Sequence, residues 1–262
     1  MIFCIDIGNT NIKYAVFDGD ELKATFRVSS QKYITSDEYG VIVRDLLKSA
    51  NISKSSITGA IMSSVIPSLN YTMEHMCRDY LGLTPLIVGP GVKTGLNIKV
   101  DNSREVGADI IVDSVSAIKR YGGKGKPIIC IDFGTATTFD IISDSGELIG
   151  AVIAPGIKGS LDSLVNGTAN LPGIELDTPP SIIAKNTVNC MKAGMIFGFA
   201  GLVQNIVSKI KAELGREDTL VVATGGMSGI IKNEADCIDI VDRTLTLNGL
   251  KTIYELNRGK DE

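Results

Sequence analysis

The chain repeats itself. Residues 6–22 read DIGNTNIKYAVFDGDEL and residues 132–148 read DFGTATTFDIISDSGEL, 126 positions apart and without a gap. In that alignment Asp6 meets Asp132, Gly8 meets Gly134, Val16 meets Ile142, Asp18 meets Asp144, Glu21 meets Glu147 and Leu22 meets Leu148. Each copy follows an apolar run, MIFCI or PIICI. The pattern predicts a buried strand, an Asp-x-Gly turn bearing threonine, a second strand and an acidic turn. One such turn is ordinary loop chemistry. Two in the same register predict two domains built on one hairpin, with their aspartate turns facing each other across a cleft.

The rest of the chain follows the same alternation. ELKATFRVSS completes a three-strand start, and ELIGAVIAPG completes the second one. A helix over SDEYGVIVRDLLKSAN with Ser36 as its cap, a strand GAIMSSV, a helix SLNYTMEHMCRDYLG and a strand PLIVG are expected next. VGADIIVDSVSAIKRYGG reads as a helix stopped by glycines, leading into the second half. That half continues with helices over IKGSLDSLVNGTANL and NTVNCMKAGMIFGFAGLVQNIVSKIKAELG, strands TLVVATGG and CIDIVDR, and a final helix LTLNGLKTIYELNR. Three strands and then alternating helices and strands, done twice, define an α/β protein with two mixed sheets. The division falls at residues 1–117 and 118–262.

Composition removes whole classes of chemistry. A net charge of −4 offers no basic surface for nucleic acid. No uninterrupted apolar run reaches the 18 or so residues of a membrane span, and the N-terminus lacks the positive region of a signal peptide, so a cytoplasmic location is expected. The five cysteines form no CxxC and fall in apolar contexts, where a free thiol acts as a small hydrophobe. His75 is the only histidine. This removes most Ser-His-Asp and Cys-His schemes and any His-rich metal site, and His75 itself falls on an amphipathic helix with an ordinary structural role. Carboxylates, hydroxyls, lysines and backbone amides must do the work.

Three loops suit phosphate: DIGNT, FGTATT with Gly134, Thr135, Thr137 and Thr138, and ATGGMSG with Gly225 and Gly226. Small residues let the backbone approach phosphate oxygens, and hydroxyls donate to them. A carboxylate beside phosphate repels it unless a cation intervenes, so Asp6 and Asp132 imply Mg²⁺. GGKGKP and GVKTGLN lack the GxxxxGK spacing of a Walker loop, and no GxGxxG follows a strand. Asp109, in EVGAD at the start of a helix, is placed to accept a proton from a substrate hydroxyl. The helix dipole alone would also favour an aspartate there.

DIGNTNIKYAVF, GADIIVDSVSA, DFGTATTFD, GAVIAPGI, NTVNCMKAG and TGGMS, in this order, resemble type III pantothenate kinases over about residues 1–255. That family belongs to the superfamily of acetate and sugar kinases, heat-shock chaperone ATPases and actin. The resemblance implies two duplicated actin-like (ribonuclease H-like) domains. It also implies ATP-dependent phosphorylation of the primary hydroxyl of pantothenate to 4′-phosphopantothenate, the first step toward coenzyme A. Asp6, Ile7, Gly8, Asn9, Thr10, Asn11, Ile12 and Lys13 would form the first nucleotide-phosphate loop. Thr135 would touch ATP, and Gly225 and Gly226 match the adenosine motif. Asp109 would be the proton acceptor. Gly107 and Ala108, with Ile110 and Val100, would line the pantothenate pocket. Asp132 would hold potassium or ammonium, and Thr187 would reach pantothenate from the neighbouring subunit of a homodimer.

Three positions depart from the family pattern. Ile110 stands where the GADR motif has arginine, Val100 where tyrosine is common, and Ser103 where proline is usual. Lys99 and Arg104 lie nearby in the chain as candidate replacements for the lost cation. The competing functions are a diverged, non-catalytic regulatory accessory protein of the same fold, and a kinase for another small hydroxyl substrate.

Overall fold

The computed structural model describes residues 1–31, 33–122 and 125–259. Gly123 and Lys124 of the GGKGKP stretch therefore lie outside the described residues. The chain forms two compact units. The first comprises Met1–Leu96, Asp101–Ser116 and Leu245–Glu262; the second comprises Asn97–Val100 and Ala117–Thr244. The sequence division at 117/118 assigned the C-terminal helix to the second half, whereas it packs within the first unit.

In the first unit β1 (Ile2–Ile7), β2 (Asn11–Asp18), β3 (Glu21–Ser29), β4 (Gly59–Ser64) and β5 (Leu86–Ile87) form a sheet of order β3-β2-β1-β4-β5. β1 is antiparallel to β2 and parallel to β4. Side chains alternate across a strand, so β1 feeds two cores. Phe3, Ile5 and Ile7 pack against Tyr39, Val43 and Leu47 of α1 (Ser36–Ser49) and Leu69, Met73 and Met76 of α2 (Pro67–Met76). Ile2 and Cys4 pack against Val112 and Val115 of α3 (Ala108–Tyr121) and Leu247, Leu250 and Ile253 of α7 (Leu245–Asn257). Each such aliphatic side chain contributes about 1.5–3 kcal/mol on burial. That is what returns α7 to the first sheet. Lys251 on α7 also pairs with Asp20 in the β2–β3 turn and with Glu255.

The second unit has β6 (Asn97–Ile98), β7 (Ile128–Phe133), β8 (Ala136–Ile142), β9 (Glu147–Pro155), β10 (Leu220–Gly225) and β11 (Ile240–Val241), in the order β11-β10-β7-β8-β9-β6. Without β6 this is the first sheet's order again. α4 (Ile157–Asn166), α5 (Thr187–Leu214) and α6 (Ser228–Lys232) complete it. The duplication is therefore real, but the ungapped alignment is corrected by the hydrogen-bond register. Ile7 pairs with Ile12, and Phe133 with Thr137, so β8 matches β2 at an offset of 125. The first turn of the second copy is one residue shorter. The next turn is one longer, since Phe17 pairs with Leu22 but Ile142 with Leu148, which restores the offset of 126. Val16 thus corresponds to Ile141 rather than Ile142.

Two local expectations shift as well. The α1 cap is Thr35, not Ser36: Glu38 N–H donates to Thr35 Oγ1 at 3.3 Å and Thr35 N–H to Glu38 Oε2 at 2.8 Å. α5 is 28 residues long, and by length and composition it could cross a membrane, contrary to the expectation that no stretch qualifies. Its Met191, Met195, Ile196, Phe199, Val203 and Val207 are buried in the core of the second unit. Its apolar side chains are thus largely spent on the fold.

Candidate active site

Asp6 is the last even-numbered residue of β1, on the face that Ile2 and Cys4 bury. Its side chain is only 13% exposed. In register beside it stand Lys13 on β2 and Ser63 on β4. Lys13 Nζ lies 3.3 Å from Asp6 Oδ2, and Ser63 Oγ donates to Oδ1 at 3.1 Å. The turn beyond Asp6 is closed by Gly8 N–H donating to Asn11 O at 3.0 Å. It is pinned by Ser30, just past the end of β3, whose hydroxyl donates to Gly8 O at 2.5 Å and whose N–H donates to Thr10 O at 3.0 Å. Asn9 and Thr10 are exposed at its tip. Ile7 and Ile12 have wholly buried side chains, so only their backbone faces the loop's chemistry.

Asp109 lies in the same unit, in the first turn of α3. Gly107 O accepts from Ile111 N–H at 3.1 Å, opening the helix, and Asp109 Oδ1 accepts from Ile110 N–H at 2.9 Å. A Cβ on Gly107 would lie 2.3 Å from Asp109 Oδ1, so the carboxylate sits where only glycine leaves room. Burial pushes the Asp109 carboxyl above the ordinary carboxylate range. The nearby Asp6 charge acts in the same direction, and the Ile110 N–H and Lys13 partly oppose it. A carboxylate so raised is a better proton acceptor than an exposed one.

The second unit holds the matching row. Asp132 on β7 is flanked in register by Thr138 on β8 and Thr224 on β10. The hydroxyl position of Ser63 is kept, whereas the position of Lys13 holds an uncharged residue. Two glycines frame the carboxylate. A Cβ on Gly134 would lie 3.0 Å from Asp132 Oδ2, and one on Gly225, at φ +90°, would lie 2.5 Å from Oδ1. Thr135 and Gly226 are exposed. Thr137 is buried and donates to Pro155 O at 3.1 Å, a structural role. Ser228, which the sequence did not single out, donates to Gly225 O at 2.8 Å and shapes the TGG turn.

The remaining candidates divide between the units. Gly107, Ala108 and Ile110 accompany Asp109 in the first; Val100 and Thr187 belong to the second. Thr187 opens α5 and is exposed beside the Asn186 cap. Of the two candidate replacement cations, Lys99 Nζ lies 4.0 Å from Glu147 in the second unit, while Arg104 is exposed in the first unit, on the 3₁₀ turn before Asp109. Among the described residues no group of three or more His, Cys, Asp or Glu side chains could hold a metal unaided.

Two mixed sheets of one topology, each bearing an aspartate-glycine turn, define the actin-like ATPase and sugar-kinase fold. Solved structures of that fold match along the whole chain. An inorganic polyphosphate/ATP-glucomannokinase from Arthrobacter aligns with TM-score 0.52 at 18% identity, covering 98% of both chains. An activator of 2-hydroxyisocaproyl-CoA dehydratase from Clostridium difficile aligns with TM-score 0.54 at 14% identity, covering 99% of this chain and 96% of that one. Within this class the chain belongs to the type III pantothenate kinase family, whose family model matches residues 2–209. The type III pantothenate kinase of Moorella thermoacetica is 49% identical over 257 residues, covering 98% of this chain and 100% of the relative. That of Geobacillus kaustophilus is 48% identical over 260 residues, covering 99% of each. The resemblance noted from the six motifs is thereby borne out.

Proposed function

We propose that this protein transfers the γ-phosphoryl group of ATP to the primary hydroxyl of pantothenate in the cytoplasm, giving 4′-phosphopantothenate and ADP, the first step of coenzyme A biosynthesis. The observation that carries it is the half-buried Asp109 carboxylate, with its raised proton affinity, in one unit with the Asp6–Lys13 pair. Asp109 accepts the hydroxyl proton as the oxygen forms its bond to the γ-phosphorus. The bond from that phosphorus to the bridging oxygen breaks, and ADP leaves. Lys13 and the amides at the Asn9–Thr10 tip of the turn bind phosphate oxygens, a role suited to a short turn of small residues. Gly107 leaves space for the carboxylate, while Thr135, Gly225 and Gly226 serve the nucleotide from the second unit. Val100, Ala108 and Ile110 line the pantothenate site.

The residues fit the cations that such a reaction needs. Asp6 and Asp132 are each hard oxygen donors, and with no larger cluster among the described residues, an Mg²⁺ ion held by either would take phosphates and water to complete its shell, as is usual for that ion. Mg²⁺ would neutralise charge on the phosphates. Asp132, framed by Gly134 and Gly225, is the oxygen donor assigned to potassium or ammonium.

The active unit is a homodimer in this proposal, with Thr187 reaching the neighbour's pantothenate. α5 supports it: Gly194, Gly198 and Gly201 are exposed along one of its sides, and nothing lies within 4 Å of where their Cβ atoms would be. A long apolar helix with such a bare side has room for a partner. Light scattering at assay concentrations is expected to give twice the chain mass; a fully active monomer contradicts the assignment. The reaction itself is tested by mass spectrometry of the product. Pantothenate heavier by one phosphate is expected, while ADP without a phosphorylated acid would refute it.

A further inference from the structure

The row Lys13–Asp6–Ser63 holds Asp6 from both sides, but the two grips differ. Lys13 reaches across on a long side chain, itself 29% exposed. Ser63 is 1% exposed on the inner strand β4, in register with Asp6, and its hydroxyl meets Oδ1 at 3.1 Å. A buried hydroxyl that donates to a carboxylate from a sheet strand is a charge-assisted contact with little freedom to move. Lacking it, the torsion of the Asp6 carboxylate would be set by Lys13 alone, and both oxygens could turn toward the ammonium. The duplicated half keeps a hydroxyl at the equivalent place, Thr224 beside Asp132, at 2% exposure. The lysine position is not kept, so the hydroxyl is the feature the two rows share.

We propose that Ser63 is a positioning residue, whose hydroxyl locks the Asp6 carboxylate in the orientation that serves the Mg²⁺-bound phosphates of ATP. This rests on the nucleotide role proposed for Asp6. Ser63 does not touch substrate; it acts through Asp6. The presence of Thr224 in the second row indicates that a β-branched hydroxyl fits such a strand position.

The test compares Ser63→Thr with Ser63→Val, two side chains of one shape that differ in the hydroxyl. Calorimetric titration of each with ATP and Mg²⁺, with melting temperatures alongside, separates orientation from packing. Ser63→Thr is expected to bind as wild type, and Ser63→Val about tenfold more weakly, the scale of one hydrogen bond to a charged group. In an Asp6→Asn background, Ser63→Val should add no further loss, because the two act as one unit. Equal binding by the Thr and Val variants, or an undiminished Val effect in the Asp6→Asn background, overturns the inference about Ser63 alone. Wild-type binding by Asp6→Asn itself would instead remove the nucleotide role of Asp6, and the inference with it.

Discussion

Asp109→Asn is expected to lower turnover by about 10²–10⁴-fold, the range of a lost general base, while the protein still folds. Asparagine keeps the shape beside Gly107 and can still accept from the Ile110 N–H, but it cannot take the hydroxyl proton. The raised proton affinity of Asp109 adds a pH signature. The wild-type acid limb of kcat/KM should lie above the ordinary carboxylate range, and the variant should lack it. The stability effect has the opposite sense. A carboxyl whose folded pKa lies above its unfolded value contributes stability at low pH, which is lost as pH rises through the folded value. Near neutrality the variant should therefore melt no lower than wild type. Turnover above about a tenth of wild type, well outside that range, would remove Asp109 from the base role.

Chelation of Mg²⁺ is expected to abolish turnover, and exchange of potassium for sodium to reduce it sharply. In the proposed roles, Asp6 and Asp132 each place a carboxylate beside a phosphate. At about 4 Å, two such unit charges repel by about 4 kcal/mol at an effective dielectric of about 20. In the first unit Lys13, 3.3 Å from Asp6, offsets part of that repulsion. In the second, the corresponding position is Thr138, and the cation proposed at Asp132 would act there. Asp132→Asn should weaken the potassium dependence together with the rate. Activity indifferent to potassium and ammonium, at saturating Mg²⁺ and substrates, contradicts the role given to Asp132 and leaves the Mg²⁺ requirement standing.

The hairpin duplication, the two aspartate turns and the family were legible because each is written in contiguous residues. What was not legible depends on contacts between distant segments. The one-residue exchange between successive turns is invisible to an ungapped alignment, because shortening one turn and lengthening the next cancel. Ser63 and Thr224 lie in unremarkable apolar strands. Only the parallel register puts them beside Asp6 and Asp132, 57 and 92 residues away in sequence. The return of α7 to the first sheet is a long-range packing event, driven by Leu247, Leu250 and Ile253 meeting Ile2 and Cys4. Ile7 and Ile12, grouped with the phosphate loop by position, have side chains that belong to the core because strand alternation turns them to the other face.

The most direct measurement is ADP release with ATP, Mg²⁺ and potassium present, with and without pantothenate, and with other small alcohols in its place. Release that requires pantothenate, and is not supported by sugars, is the expected result. Release that sugars support as well, or none under any condition, would contradict the assignment and favour another hydroxyl substrate or a non-catalytic role for this fold.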